Sequence, residues 1–229
     1  MTYPGTTEDW KKKDGKVALL TGGSRGIGAA TMELLQRRGW EIFAPTRAQL
    51  SLDSAIQAHA VRLPHALYGL DALILCAGQW YSRPLRDQDG HAWHYQYMLN
   101  VVSSFDLIRF CLSALERVRG CVVAVASTRA FIGGVETAPY SVAKAGLVAL
   151  MQGFAREYGG EVRFNCVCPG LTDTDMGRDV IATGGAKPDA VPQPAEAVAA
   201  EIVRLIESDD NGRIMRVVDG VATEAKWNW

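Results

Sequence analysis

Short apolar runs alternate with helical patterns along most of this 229-residue chain. The apolar runs cover residues 16–21, 41–44, 72–76, 121–126 and 162–167, and each is too short for anything but a strand covered on both faces. The helical patterns cover residues 27–38, 55–63, 97–117 and 140–158, and a further helix starts near residue 195. This alternation predicts right-handed crossovers and a Rossmann-type, doubly wound parallel α/β sheet with helices on both faces. Ligand sites in such a sheet lie beyond the carboxyl ends of the strands.

Residues 171–194 interrupt this alternation, because they are rich in Gly, Pro, Thr and Asp and lie between the last of these strands and the last helix. Such a loop inside a compact domain is usually a lid or a binding element. The sequence contains no internal repeat, no low-complexity tract and no linker that would separate two cores. We therefore predict a single domain over residues 1–229, with residues 171–194 as a substrate lid.

The charge balance argues against general electrostatic binding. The chain has 24 basic and 25 acidic residues and a formal net charge of -1, so no global field favours nucleic acid or an anionic membrane. No apolar run approaches the ~20 residues that a bilayer crossing requires, and the first fifteen residues contain no signal-peptide core. These observations predict a cytoplasmic protein that binds neither nucleic acid nor membrane.

The five cysteines are odd in number and mostly embedded in apolar stretches, so we expect reduced thiols rather than a disulfide framework. Cys166 and Cys168 have C-x-C spacing, but the sequence offers no second ligand pair nearby, and the four histidines form no ligand pattern. We therefore predict no metal site.

A glycine turn, T-G-G-S-R-G-I-G over residues 21–28, follows the first predicted strand and opens the first predicted helix. Its backbone N–H groups and the positive end of the helix can face a pyrophosphate, and glycine allows the close approach. The glycines at positions 22, 26 and 28 give G-x-x-x-G-x-G rather than G-x-G-x-x-G. Taken alone, the turn therefore also fits a tight strand-to-helix connection without a ligand.

Arg47 stands near the position where a dinucleotide-binding fingerprint would have an acidic residue, about 20 positions after the glycines, to bind the ribose diol of NAD. Together with Arg25 in the glycine turn, Arg47 can form charge-assisted hydrogen bonds to a 2′-phosphate. This favours NADP(H) as the cofactor, with NAD(H) as the alternative. The competing interpretation is that both arginines are solvated surface residues.

Tyr140 and Lys144 are four residues apart and therefore share one face of a predicted helix. An adjacent cation favours the phenolate and brings the pKa of a tyrosine, ordinarily about 10, towards operating pH, so Tyr140 can serve as general acid or base. Ser127 follows a predicted strand and can hold a substrate oxygen at the same sheet edge. Without further context, Y-x-x-x-K also fits an exposed pair on a helix.

Several motifs, in order along nearly the whole chain, resemble the short-chain dehydrogenase/reductase (SDR) family. They are the glycine motif at residues 21–28, L-C-A-G at 75–78 where the family commonly has N-N-A-G, Asn100, Ser127 thirteen positions before Tyr140, Lys144, P-G-L-T-D-T-D-M at 169–176 and N-G-R-I-M-R-V-V-D-G at 211–220. The resemblance implies an oxidoreductase that transfers hydride between a nicotinamide cofactor and a small or medium carbonyl or alcohol substrate. It also implies a homo-oligomer, a tetramer or a dimer.

The resemblance also implies roles for individual residues. Tyr140 would be the general acid or base, and Ser127 would orient the substrate oxygen. Lys144 would acidify Tyr140 and hold the nicotinamide ribose, Asn100 would anchor a water in a proton relay, and Thr174 would bind the carboxamide. The predicted cofactor-binding residues are Gly22, Ser24, Arg25, Gly26, Ile27, Gly28, Arg47, Ala77, Gly78, Tyr140, Lys144, Pro169, Gly170 and Thr174.

The sequence departs from the family pattern at two places. Leu75 and Cys76 replace two asparagines that in the family support neighbouring strands and the adenosine side of the cofactor, so those hydrogen bonds must come from elsewhere or be absent. The segment after residue 50 is shorter than usual, and Asp53 fits either an adenine contact or a helix N-cap. Trp80 and Tyr81, like the tryptophans at 227 and 229, fit a substrate cleft or a subunit contact, although packing in a core or interface is favoured.

Two other functions remain open at this stage. The first is an enzyme of the same cofactor chemistry that reduces an imine or pterin-like ring or achieves a net isomerisation. This alternative remains because residues 129–139 and 171–194, which select the substrate, have no sequence pattern that indicates a particular substrate. The second is a catalytically idle NADP-binding sensor or regulator. Loss of one of the four catalytic residues would have indicated this second function, and all four are present.

Overall fold

The computed structural model describes residues 15–52 and 69–226. The helix predicted for residues 55–63, Asp53 and the tryptophans at 227 and 229 lie outside the described residues. The elements in chain order are β1 (Val17–Thr21), α1 (Gly26–Arg37), β2 (Glu41–Phe43), β3 (Ala72–Leu75), α2 (Gly90–Tyr97), a π-helical turn (Met98–Val102), α3 (Ser103–Glu116), β4 (Cys121–Val125), α4 (Ala138–Glu157), β5 (Arg163–Pro169), α5 (Asp175–Ala182), α6 (Ala195–Glu207), β6 (Ile214–Val218) and β7 (Val221–Glu224).

Seven strands form one sheet in the order β2-β1-β3-β4-β5-β6-β7. Strands β1 to β6 are parallel, which confirms the predicted doubly wound α/β fold. The last strand differs from that prediction, because β7 turns back through Asp219 and Gly220, both with positive φ, and pairs antiparallel with β6. The strand order reverses at β1, with β2 on one side and β3 on the other. The carboxyl ends of β1 and β3 therefore border a crevice of the kind in which such sheets bind ligands.

Each face of the sheet packs against its own pair of helices. Leu35 of α1 and Ile202 of α6 are fully buried on one face, in a cluster with Ile74 of β3. Leu107 of α3 and Leu147 of α4 are buried on the other face. Since successive strand residues point to opposite faces, the central strands are held on both sides, and the residues that follow their carboxyl ends start from fixed positions.

The helix predicted for residues 97–117 begins earlier, at Gly90, because Asp89 caps it by accepting a hydrogen bond from the backbone N–H of Ala92 at 2.7 Å. Helix α2, the π-helical turn and α3 form one helical stretch of 27 residues, Gly90–Glu116. This stretch is long and apolar enough to cross a membrane by length and composition alone. Half of its most apolar window is buried inside the protein, as in the core helix of a globular fold.

The predicted lid, residues 171–194, contains a helix, α5, and is fixed at its base. The Gln193 side chain donates to the Val217 carbonyl at 2.8 Å and accepts from the backbone N–H of Gly220 at 2.9 Å. A backbone bridge between Thr172 and Gln193 closes the two ends of the lid against each other. The base of the lid is thus attached to the β6–β7 hairpin.

Candidate active site

A cleft of about 960 Å³ lies at the carboxyl edge of the sheet, beyond β1, β3, β4 and β5. This volume is in the range of small-molecule and cofactor sites. All of the predicted site residues except Asn100 line it, namely Gly22, Ser24, Arg25, Gly26, Ile27, Gly28, Arg47, Ala77, Gly78, Ser127, Tyr140, Lys144, Pro169, Gly170 and Thr174. The fold therefore brings the glycine turn, the tyrosine and lysine of α4 and part of the lid into one cavity.

The glycine turn is held by close backbone contacts. A Cβ on Gly28 would lie 2.1 Å from the Gly22 carbonyl oxygen, and a Cβ on Gly22 would lie 2.9 Å from the backbone of Ala77. Gly22 also has a φ of +72°, in the left-handed region that favours glycine. Any other residue at position 22 or 28 would have to move backbone atoms. These contacts hold the first turn of α1 against the end of β1 and let its N-terminus line the cleft.

Thr21 makes hydrogen bonds to the segment in which Leu75 and Cys76 replace two asparagines. Its hydroxyl oxygen accepts from the backbone N–H groups of Cys76 and Ala77, both at 3.2 Å, and its hydroxyl donates to the Ile74 carbonyl at 3.4 Å. The loop after β3 is therefore attached to the end of β1. Burial raises the pKa of the Cys76 thiol to about 12, so this side chain is an uncharged part of the cleft wall.

Tyr140 lies in the first turn of α4, and its side chain is nearly enclosed, with a residue exposure of 5%. The Trp80 ring packs edge-on against it, with ring centroids 5.0 Å apart. Burial raises the pKa of Tyr140 to about 12, while a hydrogen bond with Ser127 and the positive charge of Arg129 act in the opposite direction. The phenol is therefore protonated at neutral pH, the state required of a proton donor.

Lys144, one helical turn further, is buried and donates from Nζ to the Val125 carbonyl at 2.9 Å. Burial lowers the pKa of its ammonium to about 8. This differs from the expectation that Lys144 would bring the pKa of Tyr140 down. Burial of the phenol dominates that pKa, and the cation that opposes it is Arg129.

Asn100 lies behind the cleft wall, in the π-helical turn. Its amide nitrogen donates to the Gln96 carbonyl at 2.9 Å, whereas its Oδ1 is buried and has no hydrogen-bond partner among the described residues. A Cβ on Gly78 would lie 3.2 Å from this oxygen and 3.1 Å from Nζ of Lys144. Asn100 Oδ1 and Nζ of Lys144 therefore both lie against Gly78, which lines the cleft. π-Helical turns occur frequently at functional sites.

Thr174 caps the lid helix. Its Oγ1 accepts from the backbone N–H of Gly177 at 3.0 Å and donates to the Thr172 carbonyl at 3.3 Å. A Cβ on Gly26 would lie 2.9 Å from the Thr174 methyl group, so the start of α5 packs directly on the glycine turn. The structure thus shows Thr174 as an N-cap at the cleft, and its predicted contact with a carboxamide stays a prediction.

Three polar contacts join the lid to the opposite parts of the cleft. They are an ion pair between Arg25 and Asp175 at 3.0 Å, a hydrogen bond from Trp80 Nε1 to Thr183 Oγ1 at 3.1 Å, and a hydrogen bond from Arg129 Nη2 to the Gly185 carbonyl. Residues 171–194 therefore contact the opposite side of the cleft at α5 and at the residues that follow it, and their role as a lid stays a prediction.

Two residues of the cleft have no role in the site predicted from the sequence. Trp80, for which core or interface packing was favoured, lines the cleft and contacts Tyr140. Arg129, which was named only as the start of a substrate segment, lines it as well. The available signal was their position, because Trp80 follows the turn after β3 and Arg129 comes two residues after Ser127, both at carboxyl ends of central strands.

Comparison with known proteins agrees with this geometry. The family model described as short chain dehydrogenase matches residues 48–184. The chain belongs to this family. A short-chain dehydrogenase relative from Vibrio cholerae, a 3-oxoacyl-(acyl-carrier-protein) reductase, is 31% identical over 185 residues, which cover 71% of this chain and 76% of the relative. Dehydrogenase/reductase SDR family member 6 of Rattus norvegicus is 28% identical over 178 residues, 70% of this chain and 73% of the relative.

Solved short-chain dehydrogenase structures share the fold. The protein ElxO, solved with NADP bound, superposes with a TM-score of 0.80 at 19% identity and covers 90% of this chain and 98% of its own. Levodione reductase superposes with a TM-score of 0.79 at 20% identity and covers 90% of this chain and 96% of its own. At these identities the likeness concerns the fold, and the function has to be argued from the site.

Proposed function

We propose that this short-chain dehydrogenase is an NADPH-preferring reductase of small or medium carbonyl compounds, with Tyr140 as the general acid or base. The observation that carries the proposal is the buried phenol of Tyr140, which shares one cleft with a glycine turn at a helix N-terminus. Two comparison proteins support it, since one is a 3-oxoacyl reductase and the other was solved with NADP bound.

The residues of the cleft fit a dinucleotide. Gly22 and Gly28 leave no room for a Cβ, so the turn presents bare backbone N–H groups and the N-terminus of α1, which together favour a pyrophosphate. The other residues that would hold the cofactor are those predicted from the sequence at the turn, at residues 77–78 and 169–170, and at Lys144 and Thr174. The nicotinamide cofactor supplies the hydride when it is bound.

The chain itself supplies placement and a proton. Tyr140, protonated at neutral pH, donates its proton to the carbonyl oxygen as this becomes a hydroxyl, and Ser127 orients that oxygen through its own hydroxyl. Lys144 would hold the nicotinamide ribose. Its lowered pKa means that part of the Lys144 population is neutral near pH 8. Asn100, with its unpartnered buried Oδ1, is suited to hold a water for returning the proton.

Preference for NADPH is supported by two cleft arginines. Arg47 follows β2 and lines the cleft, at the sheet edge where the adenosine side of a dinucleotide lies in folds of this type. Arg25 forms an exposed ion pair with Asp175, and such pairs contribute little, so its guanidinium is available to a phosphate at small cost. Both residues present planar donors suited to a phosphate dianion.

The test is oxidation of NADPH, followed by absorbance, with a panel of ketones, 3-oxoacyl thioesters and cyclic imines. Tyr140→Phe should lower kcat by about 100- to 10,000-fold, because it removes the acid or base group, and should leave NADPH binding within about threefold. Tyr158→Phe, at the other end of α4, is the matched control and should retain wild-type kcat. A Tyr140→Phe variant as active as wild type would refute the mechanism. Cofactor binding without turnover of any compound would instead favour the sensor, and turnover of imines alone would favour the ring reductase.

We also propose that the protein acts in the cytoplasm as a homo-oligomer, a tetramer or a dimer. Its five cysteines are free thiols, which suits a reducing compartment. Large apolar side chains stay exposed on α2, α3 and α4, among them Tyr97 and Val142 at 50% each and Phe105 at 40%, as expected of surfaces that self-associate. Light scattering that gives the mass of one chain would contradict the assembly.

A further inference from the structure

Arg129 brings a guanidinium into the cleft without a carboxylate beside it. It lies in the short turn after β4, half-buried, with its backbone N–H donating to Ser127 Oγ at 3.2 Å. Its Nη2 donates to the Gly185 carbonyl in the lid. Within residues 15–52 and 69–226, no Asp or Glu oxygen lies within 4.0 Å of its side-chain nitrogens. A cation that is partly withdrawn from water without a counter-charge is unfavourable unless a ligand provides one.

The surroundings hold this guanidinium in place. A Cβ on Gly134 would lie 2.6 Å from Nη1 and 2.9 Å from Cζ of Arg129, so the missing side chain makes room for the guanidinium. On the other side, Gly185 packs so closely on Trp80 that a Cβ there would lie 2.7 Å from the indole ring. Two glycines and a lid carbonyl thus fix the position of the charge.

Two acidic residues of the lid are paired with other cations. Asp173 pairs with Arg178 at 2.9 Å, and Asp175 pairs with both Arg178 and Arg25. Asp179 also lines the cleft, but its carboxylate oxygens lie more than 4.0 Å from the side-chain nitrogens of Arg129. Arg129 therefore has no carboxylate partner among the described residues. Arg129 and Tyr140 both line the cleft, and the charge of Arg129 acts against the burial that raises the pKa of Tyr140.

We propose that Arg129 binds a carboxylate of the substrate, so that the preferred substrates are oxo acids and, in the reverse direction, hydroxy acids. This rests on the proposed reductase function, in which Ser127 and Tyr140 bind the carbonyl oxygen. Because Arg129 is bonded to Ser127 through its backbone and to the lid through its side chain, it spans the space next to that oxygen. A guanidinium has five N–H donors in one plane, and the bond to Gly185 occupies one, which leaves enough for a bidentate carboxylate contact.

The test compares a 3-oxo acid with its methyl ester, which share the same carbonyl group and differ in charge. Wild type should prefer the acid, and Arg129→Gln should lower the acid-to-ester ratio of kcat/KM by about 100-fold. Arg129→Lys keeps the charge and loses the planar guanidinium. Its acid-to-ester ratio of kcat/KM should therefore lie between those of wild type and Arg129→Gln. Any effect of the Arg129 charge on the pKa of Tyr140 applies to both substrates and cancels in their ratio.

Gly134→Ala provides a second route, because its Cβ would displace the guanidinium without removing it. The same Cβ would lie 2.6 Å from Thr137 Oγ1, an effect common to both substrates, so the acid-to-ester ratio is the readout. Gly134→Ala should reproduce the acid-specific loss, whereas Gly133→Ala, which meets nothing within 4 Å, should not. A binding readout independent of turnover is calorimetric titration of a short carboxylic acid without a carbonyl group into the NADPH complex. Its affinity should fall at least about tenfold in Arg129→Gln.

The outcomes separate this inference from the function on which it rests. An equal acid-to-ester ratio in wild type and Arg129→Gln would overturn the role of Arg129 and leave the reductase intact, as would a wild type that reduces neutral ketones and rejects oxo acids. Failure to reduce any carbonyl compound would overturn the proposed function. The carboxylic acid titration would then still decide whether Arg129 binds carboxylates.

Discussion

Substituting Lys144 by methionine should change how the stability of the protein depends on pH. Burial lowers the pKa of this lysine from 10.5 to about 8, and unfolding returns it to its ordinary value. Since each pKa unit corresponds to about 1.4 kcal/mol, keeping the ammonium buried costs about 3 kcal/mol below pH 8. Between about pH 8 and pH 10.5 the unfolded chain binds this proton and the folded one does not. The contribution of Lys144 to the free energy of unfolding therefore rises with pH in that window by about 3 kcal/mol.

The assay is urea unfolding of wild type and Lys144→Met near pH 7 and near pH 10. From pH 7 to pH 10, the free energy of unfolding of the wild type should rise by about 2 kcal/mol relative to that of the variant. The comparison isolates Lys144 because the other ionisable groups are common to both chains. Loss of the hydrogen bond to Val125 shifts the difference by an amount that hardly depends on pH, so it does not obscure the slope. The exposed Lys187→Met is the control and should follow wild type. If the free energies of unfolding of wild type and Lys144→Met differ by the same amount from pH 7 to pH 10, burial does not lower the pKa of this ammonium and the reasoning is refuted.

Two further predictions concern the cofactor. Gly28→Ala places a Cβ 2.1 Å from the Gly22 carbonyl, so it should lower the free energy of unfolding by about 1–3 kcal/mol and weaken NADPH binding at least about tenfold. Urea unfolding and fluorescence titration measure these two effects, and unchanged NADPH affinity would contradict the role of the turn. Arg47→Ala should weaken NADPH at least about tenfold and leave NADH within about twofold, since only NADPH carries the 2′-phosphate. If Arg47→Ala weakens the binding of NADPH and NADH equally in the same titration, Arg47 does not bind the 2′-phosphate.

The central strands and the glycine turn were predictable because their signals are local. Strands β1, β3, β4 and β5 are short apolar runs bounded by glycine or by polar residues. A short, continuous apolar run is typical of a strand that is buried on both faces of a parallel sheet. Tyr140 and Lys144 share a helix face through their spacing alone. The edge strand β7 is exposed along its whole length and therefore carries no apolar signal. Helix α5 has only eight residues and depends on its cap at Thr174.

The chemistry of the cleft was less predictable because it depends on residues distant in sequence. Trp80 bonds to Thr183, and Arg129 bonds to Gly185, across separations of 103 and 56 residues, respectively. The pKa of Tyr140 likewise is raised by burial among surrounding elements and is opposed by Ser127 and Arg129 from the segment after β4, rather than by the lysine spaced four residues away. Spacing thus identifies which groups can meet, while their protonation states follow only from the packed structure.

Two groups whose burial is unfavourable lie at one point of the fold. Lys144 holds a buried ammonium, Asn100 has a buried oxygen without a partner among the described residues, and both lie against the backbone of Gly78. Among buried polar groups elsewhere, Asn165 and Gln193 are satisfied by hydrogen bonds, whereas Gln88 Oε1 is a second oxygen without a partner in the described part of the chain. Buried polar groups of this kind lower stability and are often retained for function, so Asn100 and Lys144 are candidates for a functional role on grounds that do not depend on a family motif. On this reasoning, substitutions that relieve these costs should yield a more stable protein and a poorer enzyme, as is common when active sites are replaced by apolar packing.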